Sequence, residues 1–255
     1  MAAMPPRTFA IGDVHGALDD LDRLLARLPP LTREDTLVFL GDYLDRGPKS
    51  REVIARVRAL QEGGPARVIA LRGNHEDAWL RVIDQGWEGF LLPPGNGCLA
   101  TLRSFMGGAV PPRGAFPTPE EFAAMSRGAF FPPDVVAWMR ALPTWYEDLH
   151  AIYVHAGLRE GEGRWLHPRE HTDHAPLLWT RTLRFFQEYR GPWVVVGHTR
   201  TETLPPELSR YTPEDPADLW AGACVAAIDT GAGSAEGFLT ALELPALRVY
   251  ESRGA

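Results

Sequence analysis

Five short apolar runs divide the chain, and each one ends in a turn of glycine and polar residues. The runs are three or four residues long and contain mainly aliphatic and β-branched side chains. They lie at residues 8–11, 37–40, 68–71, 152–154 and 193–196. Continuous apolar runs of this length are typical of strands that are buried on both faces. We therefore predict five strands.

Helical patterns separate the first three predicted strands. Leucines recur at helical spacing over residues 18–28, and aliphatic residues do the same over 53–60, so each segment has one apolar side. The alternation of strand and helix predicts an α/β fold with parallel strands joined by right-handed crossovers. Ligands of such sheets bind beyond the carboxyl ends of the strands. We therefore expect the polar residues of all five turns to converge at one edge.

The middle of the chain, about residues 85–150, has a different composition. It contains three Pro-Pro pairs and two short helical patterns, over 120–126 and 134–142. Its aromatic side chains, among them Trp87 and Phe116, are expected to need burial. We therefore predict a mostly helical, loop-rich insertion within a single domain that covers residues 1–255, and not a linker.

Two later segments, 159–175 and 201–218, are charged and contain proline, and we expect them to border the site. The end of the chain returns to short apolar runs. These predict three further strands, at residues 224–228, 237–242 and 247–251.

Composition narrows the class of protein. The 255 residues are 45% hydrophobic and 23% charged, which is ordinary for a globular protein, and the net charge of −7 argues against nucleic acid or an anionic membrane as partner. No apolar run approaches the roughly 20 residues that span a bilayer, and none before Asp13 resembles a signal peptide. Two cysteines support neither a disulfide framework nor a Cys-rich metal site. We therefore expect a soluble, cytoplasmic protein.

Six residues of the five turns carry metal-binding side chains: Asp13, His15, Asp42, Asn74, His155 and His198. A carboxylate and an imidazole two residues apart in an extended segment can point the same way and share a cation. Oxygen and nitrogen donors without a thiolate suit Mn, Fe, Zn or Co better than Ca. With one carboxylate shared, the set can hold two ions, and paired ions are the usual means of hydrolysing phosphate esters.

Taken alone, each turn also has a purely structural interpretation. An Asp or Asn after a strand can cap the next helix, and a single His is often a hydrogen-bonded core residue. The five turns together, each at a strand end, favour a functional site. By contrast, His167, His171 and His174 lie in a hydrophilic loop at irregular spacing, and we interpret them as solvated.

The turns also match a known series of motifs. These are Gly-Asp-Val-His-Gly (12–16), Gly-Asp-Tyr-Leu-Asp-Arg-Gly-Pro (41–48), Leu-Arg-Gly-Asn-His-Glu (71–76), His-Ala-Gly (155–157) and Gly-His-Thr (197–199). The series resembles the calcineurin-like metallophosphoesterases. It is most similar to the bacterial branch of the serine/threonine phosphoprotein phosphatases, which also includes symmetrical diadenosine tetraphosphatases. The resemblance implies a central β-sandwich flanked by helices.

The resemblance implies a role for each candidate ligand. Asp13, His15 and Asp42 would hold the first of two divalent ions, which in bacterial members is usually Mn, with Fe, Zn or Co as alternatives. Asp42 would bridge to the second ion, which Asn74, His155 and His198 complete. A hydroxide held between the ions would attack phosphorus.

Four other residues have implied roles around the phosphate. His75 would protonate the leaving oxygen, and Asp45 would orient His75. Arg46 would bind the phosphate oxygens, together with Asn74, and Arg181 matches a second phosphate-binding arginine. The alternatives are a salt bridge for Arg46 and a cap for Asp45. Arg72 and Glu76 are interpreted as structural supports of the same motifs.

Three functions remain open at this stage. The first is a phosphomonoesterase that acts on phosphoproteins, and the second is a hydrolase that splits diadenosine tetraphosphate into two ADP. The third is a non-catalytic protein that binds phosphorylated partners, although no metal ligand is missing. Symmetrical dinucleotide hydrolases tend to lack the aspartate at the position of Asp45 and to have aspartate in place of Glu76. The presence of both residues favours the phosphoprotein phosphatase.

Overall fold

Two five-stranded sheets form the centre of the protein in the computed structural model, which describes residues 6–211, 215 and 218–254. In chain order the strands are β1 (Thr8–Ile11), β2 (Thr36–Phe39), β3 (Arg67–Ala70), β4 (Trp145–Glu147), β5 (Ile152–Val154), β6 (Glu160–Gly161), β7 (Arg164–Trp165), β8 (Val194–Arg200), β9 (Trp220–Ala221), β10 (Val225–Asp229), β11 (Thr240–Leu244) and β12 (Arg248–Glu251). The first sheet has the order β12-β11-β1-β2-β3 and the second β4-β5-β8-β10-β9, while β6 and β7 form a separate pair.

The predicted parallel strands are present. β1 pairs in parallel with β2, and β2 with β3. In the second sheet β8 lies between β5 and β10 and is parallel to both. Antiparallel strands complete each sheet, with β11 on the other side of β1 and β4 beside β5. The fold class is α/β, as predicted.

Eight α-helices lie in the described part of the chain: α1 (Leu18–Arg27), α2 (Ser50–Gly63), α3 (Asn74–Gln85), α4 (Cys98–Met106), α5 (Pro119–Met125), α6 (Pro133–Ala141), α7 (Ala175–Trp179) and α8 (Leu183–Glu188). The predicted apolar sides of α1 and α2 are buried in the core beside the first sheet, through Leu21, Leu24, Val53 and Val57. Within the described ranges, no helix combines the length and the hydropathy needed to cross a bilayer.

The two sheets face each other across a shared apolar layer. Ala10 and Val38 from the first sheet pack in one cluster with Tyr153, Val195 and Ala226 from the second. This is the central β-sandwich that the family resemblance implies. The five predicted turns therefore do not lie along one sheet: three follow strands of the first sheet, and two belong to strands of the second. Periodicity alone could not show this division, because a strand buried on both faces has the same pattern in either sheet.

The central strand of the second sheet, β8, is longer than predicted. β8 does not end at residue 196 but continues through His198 to Arg200, because it keeps pairing with β10 past an irregularity between Ala227 and Asp229. The short strands β4, β6, β7 and β9 and the helices α7 and α8 were not predicted. The segment 159–175 contains the β6-β7 pair, and part of the segment 201–218 lies outside the described residues.

The segment 85–150 contains the helices α4, α5 and α6, which are separated by loops, and ends with the strand β4. Phe90 and Phe131 are buried, and both pack edge-on against Trp79 of α3. The expectation that the aromatic residues would be buried is wrong for Trp87 and Phe116, which are 36% and 71% exposed. Phe116 lies in the stretch between α4 and α5, where no regular element turns the ring inward.

The two sheets come into close contact at Gly12, directly after β1. A Cβ atom at this position would overlap the backbone carbonyl oxygen of Ile228 in β10. Because Asp13 and Asp229 follow these two residues, the contact also brings the two sheets together beside the first candidate metal ligand. Only a residue without a side chain allows this approach.

The variant Gly12→Ala is therefore expected to lose about 1–3 kcal/mol of unfolding free energy, because an added methyl group forces backbone apart in a packed core. Urea denaturation followed by circular dichroism measures the loss. The matched control is Gly63→Ala at the end of α2, where an added Cβ meets no atom within 4 Å. A Gly12→Ala protein as stable as the control would contradict the tight contact between the sheets.

Candidate metal centre

The backbone at the candidate site adopts a conformation that side chains rarely tolerate. Five non-glycine residues have left-handed φ angles: His15 (43°), Asp42 (54°), Asp45 (70°), Arg46 (64°) and His198 (63°). Each such residue costs about 1–3 kcal/mol unless its surroundings impose the conformation. Their concentration at the ends of strands from both sheets indicates that the fold holds these side chains in place for a function.

Asp13, His15 and Asp42 come together at the carboxyl ends of β1 and β2. His15 Nε2 lies 3.4 Å from Asp42 Oδ2 and 3.9 Å from Asp13 Oδ2. His15 Nδ1 lies 2.8 Å from the carbonyl oxygen of Leu44, to which it donates a hydrogen bond in the neutral ring. The lone pair is then on Nε2, which is buried and has no hydrogen-bond partner. A cation bound between these atoms would satisfy it.

A second group of ligands lies on the other side of Asp42. His155 Nε2 and His198 Nδ1 lie 2.8 and 2.7 Å from the same atom, Asn74 Oδ1. His155 Nδ1 is 2.9 Å from the carbonyl oxygen of Leu40, which orients the ring in the same way as in His15. Three donor atoms from α3, from the turn after β5 and from β8 therefore converge on one point.

The Asp42 carboxylate faces both groups. Its Oδ2 is near His15, as described, and its Oδ1 lies 3.5 Å from His155 Nε2. Asp42 also belongs to two groups of side chains whose candidate ligand atoms lie within 4.8 Å of one another, one with Asp13 and His155 and one with His15 and His75. One oxygen of Asp42 thus points toward each group, as a bridging carboxylate requires.

The electrostatics of these residues also suit a bound cation. Burial lowers the pKa of His15, His155 and His198, so the rings are neutral and can act as ligands. Burial, together with the charges of Asp229 and Asp42, raises the pKa of Asp13. Carboxylates placed this close together in a buried site repel each other, and divalent cations remove the repulsion. The residues present therefore fit a pair of divalent ions.

His75 has different surroundings from the other histidines. Its Nδ1 lies 2.6 Å from Asp45 Oδ2, and Arg46 Nη2 lies 3.5 Å from its Nε2. Burial works against protonation, but the carboxylates of Asp42 and Asp45 outweigh it and raise the pKa of His75. A protonated imidazole held by a carboxylate at the edge of a metal centre is suited to donate a proton.

Glu76 connects the motifs without facing the metal centre. Its carboxylate accepts hydrogen bonds from the backbone N–H groups of Asp42, Tyr43 and Gly73, at 2.8–2.9 Å. Burial and the charge of Asp42 raise its pKa to about 7. Arg72 donates to the carbonyl oxygen of Arg140 at 2.6 Å. These contacts agree with supporting roles.

The two candidate phosphate-binding arginines are placed differently. Arg46 is half-buried beside His75, and no ion pair is recorded for it. Arg181 is exposed, and its Nη1 donates to the backbone carbonyl of His198 at 3.0 Å. Both arginines therefore contact residues of the candidate site, Arg46 at His75 and Arg181 at His198.

Some site residues escaped the sequence analysis. Asp229 is buried, and one of its carboxylate oxygens has no partner; the Asp-Thr-Gly sequence after an apolar run was its only signal. Thr101 and Trp79 contact Asp45. The stretch 87–104, which contains Thr101, also resembles the bacterial branch of the family, but neither residue was predicted to belong to the site. His171 was expected to be solvated but is only 8% exposed, and its Nε2 lies 3.4 Å from the backbone carbonyl oxygen of Leu166.

Comparisons with known proteins agree with this geometry. The family model described as calcineurin-like phosphoesterase matches residues 6–201. The chain belongs to the calcineurin-like phosphoesterase family. Members of this family use a pair of divalent metals. The candidate ligands of this chain are arranged so that they can hold such a pair.

The chain is similar to proteins with several different names in this family. It is 41% identical over 83 residues to a symmetrical bis(5′-nucleosyl)-tetraphosphatase from Dechloromonas aromatica, over 32% of this chain and 28% of the relative. A metallophosphoesterase from Sphaerobacter thermophilus superposes with a TM-score of 0.54 at 19% identity, covering 98% of this chain and 88% of that one. A serine/threonine phosphatase from Saccharomyces cerevisiae gives 0.50 at 16% identity, covering 98% and 81%.

The structural likenesses show the fold alone, because their identity is low. The sequence matches to curated relatives are local: the matched region spans between 18% and 34% of those proteins' own lengths. The substrate of this chain therefore does not follow from its relatives.

The bridging position of Asp42 leads to a test of metal content. Wild-type protein loaded with Mn²⁺ should retain about two ions per chain after gel filtration, as measured by inductively coupled plasma mass spectrometry. Asp42→Asn is expected to lose both ions, because an amide has only one oxygen donor and no negative charge and cannot bridge two cations. The control is Asp84→Asn, which alters an exposed carboxylate paired with Arg140. If Asp42→Asn retained both ions, the bridging assignment would be wrong.

Proposed function

We propose that this protein is a metal-dependent phosphomonoesterase that acts on phosphoproteins of the serine/threonine type, with Mn as its metal. The observation that carries the proposal is the pair formed by His75 and Asp45, 2.6 Å apart at the edge of a two-metal ligand set. Such a pair supplies the proton that an alkoxide leaving group, as in phosphoserine, requires.

The division of tasks follows from the geometry. When bound, two divalent ions supply an ionised water as nucleophile and neutralise the phosphate charge. Arg46 offers a planar guanidinium to the phosphate oxygens beside His75, and Arg181 offers a second guanidinium beside His198. Asn74, between the two metal-binding histidines, contributes to the same binding. His75 donates a proton from Nε2 to the leaving oxygen, while its Nδ1 remains bonded to Asp45.

The choice of substrate rests on two residues of the motifs. The resemblance associates Asp45 and Glu76 with phosphoprotein phosphatases, and both lie buried at the site, where Asp45 contacts His75 and Glu76 supports the turn at Asp42. Asp45 orients His75, the proposed acid, and a poor leaving group such as the serine alkoxide depends on that acid. ADP, the leaving group of the dinucleotide reaction, needs less help from an acid.

The second candidate is symmetrical hydrolysis of diadenosine tetraphosphate. It is favoured by the names of curated relatives, since proteins from Dechloromonas aromatica and Yersinia pestis, 41% and 46% identical over the matched segments, are named symmetrical bis(5′-nucleosyl)-tetraphosphatases. Both candidates require the same metal ligands and the same phosphate-binding arginines, so only substrate competition separates them.

A phosphorus NMR time course resolves the two candidates. The protein with Mn²⁺ is mixed with equal concentrations of a phosphoserine peptide and diadenosine tetraphosphate. We expect inorganic phosphate to appear first while the dinucleotide stays intact. Early ADP with an intact peptide would contradict the proposal and establish the dinucleotide hydrolase instead. Turnover of neither substrate with metal bound would revive the non-catalytic alternative.

The acid role of His75 has its own test. His75→Asn should lower kcat on the phosphoserine peptide about 10²–10⁴-fold, the usual contribution of a positioned general acid, while Mn²⁺ content stays at the wild-type level. His174→Asn is the matched control, because His174 is exposed and bonds to Thr144. A loss of less than about threefold would show that another group protonates the leaving oxygen.

A further inference from the structure

The Asp45 carboxylate is fully buried, and hydrogen-bond donors from two helices surround it. Its Oδ1 accepts a hydrogen bond of 2.6 Å from the hydroxyl of Thr101. The indole Nε1 of Trp79 lies 3.0 and 3.1 Å from the two carboxylate oxygens. His75 Nδ1 lies 2.6 Å from Oδ2, so both oxygens of the Asp45 carboxylate have hydrogen-bond partners that fix its orientation.

Thr101 also holds the backbone of the same residue. The backbone N–H of Asp45 donates to Thr101 Oγ1 at 2.8 Å, while the same hydroxyl donates to the Asp45 side chain. Ser50 Oγ lies 3.1 Å from Thr101 Oγ1 and completes the cluster. The φ of Asp45 is 70°, which needs such support. A single hydroxyl thus sets both the turn and the direction of the carboxylate.

Thr101 belongs to α4, in the insertion, and not to any of the motifs. Next to α4, the carbonyl of Gly97 accepts a hydrogen bond from the backbone N–H of Arg46 at 3.4 Å. A Cβ on Gly97 would overlap that same nitrogen. The insertion therefore reaches the turn that carries Asp45 and Arg46.

We propose that Thr101 and Trp79 are positioning residues for the proton transfer, and that the insertion is in this way part of the catalytic apparatus. The inference rests on the proposed function, in which His75 is the acid. Thr101 and Trp79 hold the carboxylate, the carboxylate holds His75 Nδ1, and Nε2 is thereby directed to the leaving oxygen. Neither residue touches the substrate. A threonine that served packing alone would not need to place its hydroxyl on both polar groups of Asp45.

The test compares two phosphate esters that differ in their need for an acid. With a phosphoserine peptide the leaving group is the serine alkoxide, which requires a proton. With dinitrophenyl phosphate the leaving group is dinitrophenolate, a stable anion that does not require one. Thr101→Val keeps the volume and removes the hydroxyl. We expect it to lower kcat on the peptide about tenfold or more, and kcat on dinitrophenyl phosphate less than about twofold. Thr101→Ser should restore the peptide activity.

A second variant keeps the test decisive if Thr101→Val fails to fold. Trp79→Phe keeps a ring in the same core position and removes the indole N–H, so it should show the same selective loss. The control is Ser104→Ala in the same helix, whose hydroxyl contacts Arg51 and Glu52 and not Asp45. Metal content and melting temperature establish that each variant is folded and loaded.

The outcomes separate this inference from the proposed function. If His75→Asn loses activity selectively on the peptide but Thr101→Val and Trp79→Phe do not, the positioning role is wrong and the acid role stands. Equal losses on both esters in these two variants would likewise overturn the positioning role. If His75→Asn itself does not discriminate between the esters, the acid role fails, and the inference fails with it.

Discussion

The site is organised around one buried carboxylate, that of Asp42, which faces histidines from both sheets. Its two oxygens point to His15 on one side and His155 on the other. Burial works against the charge of Asp42, but the surrounding histidines outweigh it and lower the pKa of Asp42. The nearby carboxylate of Asp13 repels that charge, and divalent cations bound between the two would remove the repulsion. The sandwich, the left-handed turns and the neutral histidines all serve the same requirement. They bring ligands from separate strands close enough to share two ions.

The sequence allowed much of this arrangement to be predicted, for a physical reason. Strands buried on both faces appear as apolar runs, and the residues that follow them lie at the carboxyl ends, where chemistry is carried out in α/β proteins. The six candidate ligands converge as the strand positions required. The division into two sheets could not be predicted, because β5 and β8 have the same apolar pattern as β1 and β2. Nor could the continuation of β8 through His198, which depends on its pairing with β10.

The supports of the site were harder to predict than its ligands. Thr101 is 56 residues from Asp45 along the chain, and its hydroxyl has no pattern that distinguishes it from a core threonine. Asp229 ends β10, and the sequence does not show that β10 pairs with β8. Interactions of this kind arise from tertiary packing alone. They also show that a helical segment inserted between motifs is structurally continuous with the turn that carries Asp45 and Arg46.

The five left-handed residues have a consequence for how this protein can change. Each holds a side chain in a conformation that a glycine would adopt without strain, and most also place a polar group in the interior. Substitution of such a residue by glycine would relieve the strain and the desolvation at that position, but it would remove a ligand or a hydrogen-bonding group that the chemistry needs. Selection for thermal stability alone would therefore act against this centre, which is the usual conflict between stability and activity. If the chain evolved for heat resistance alone, loss of these metal ligands would be the expected outcome.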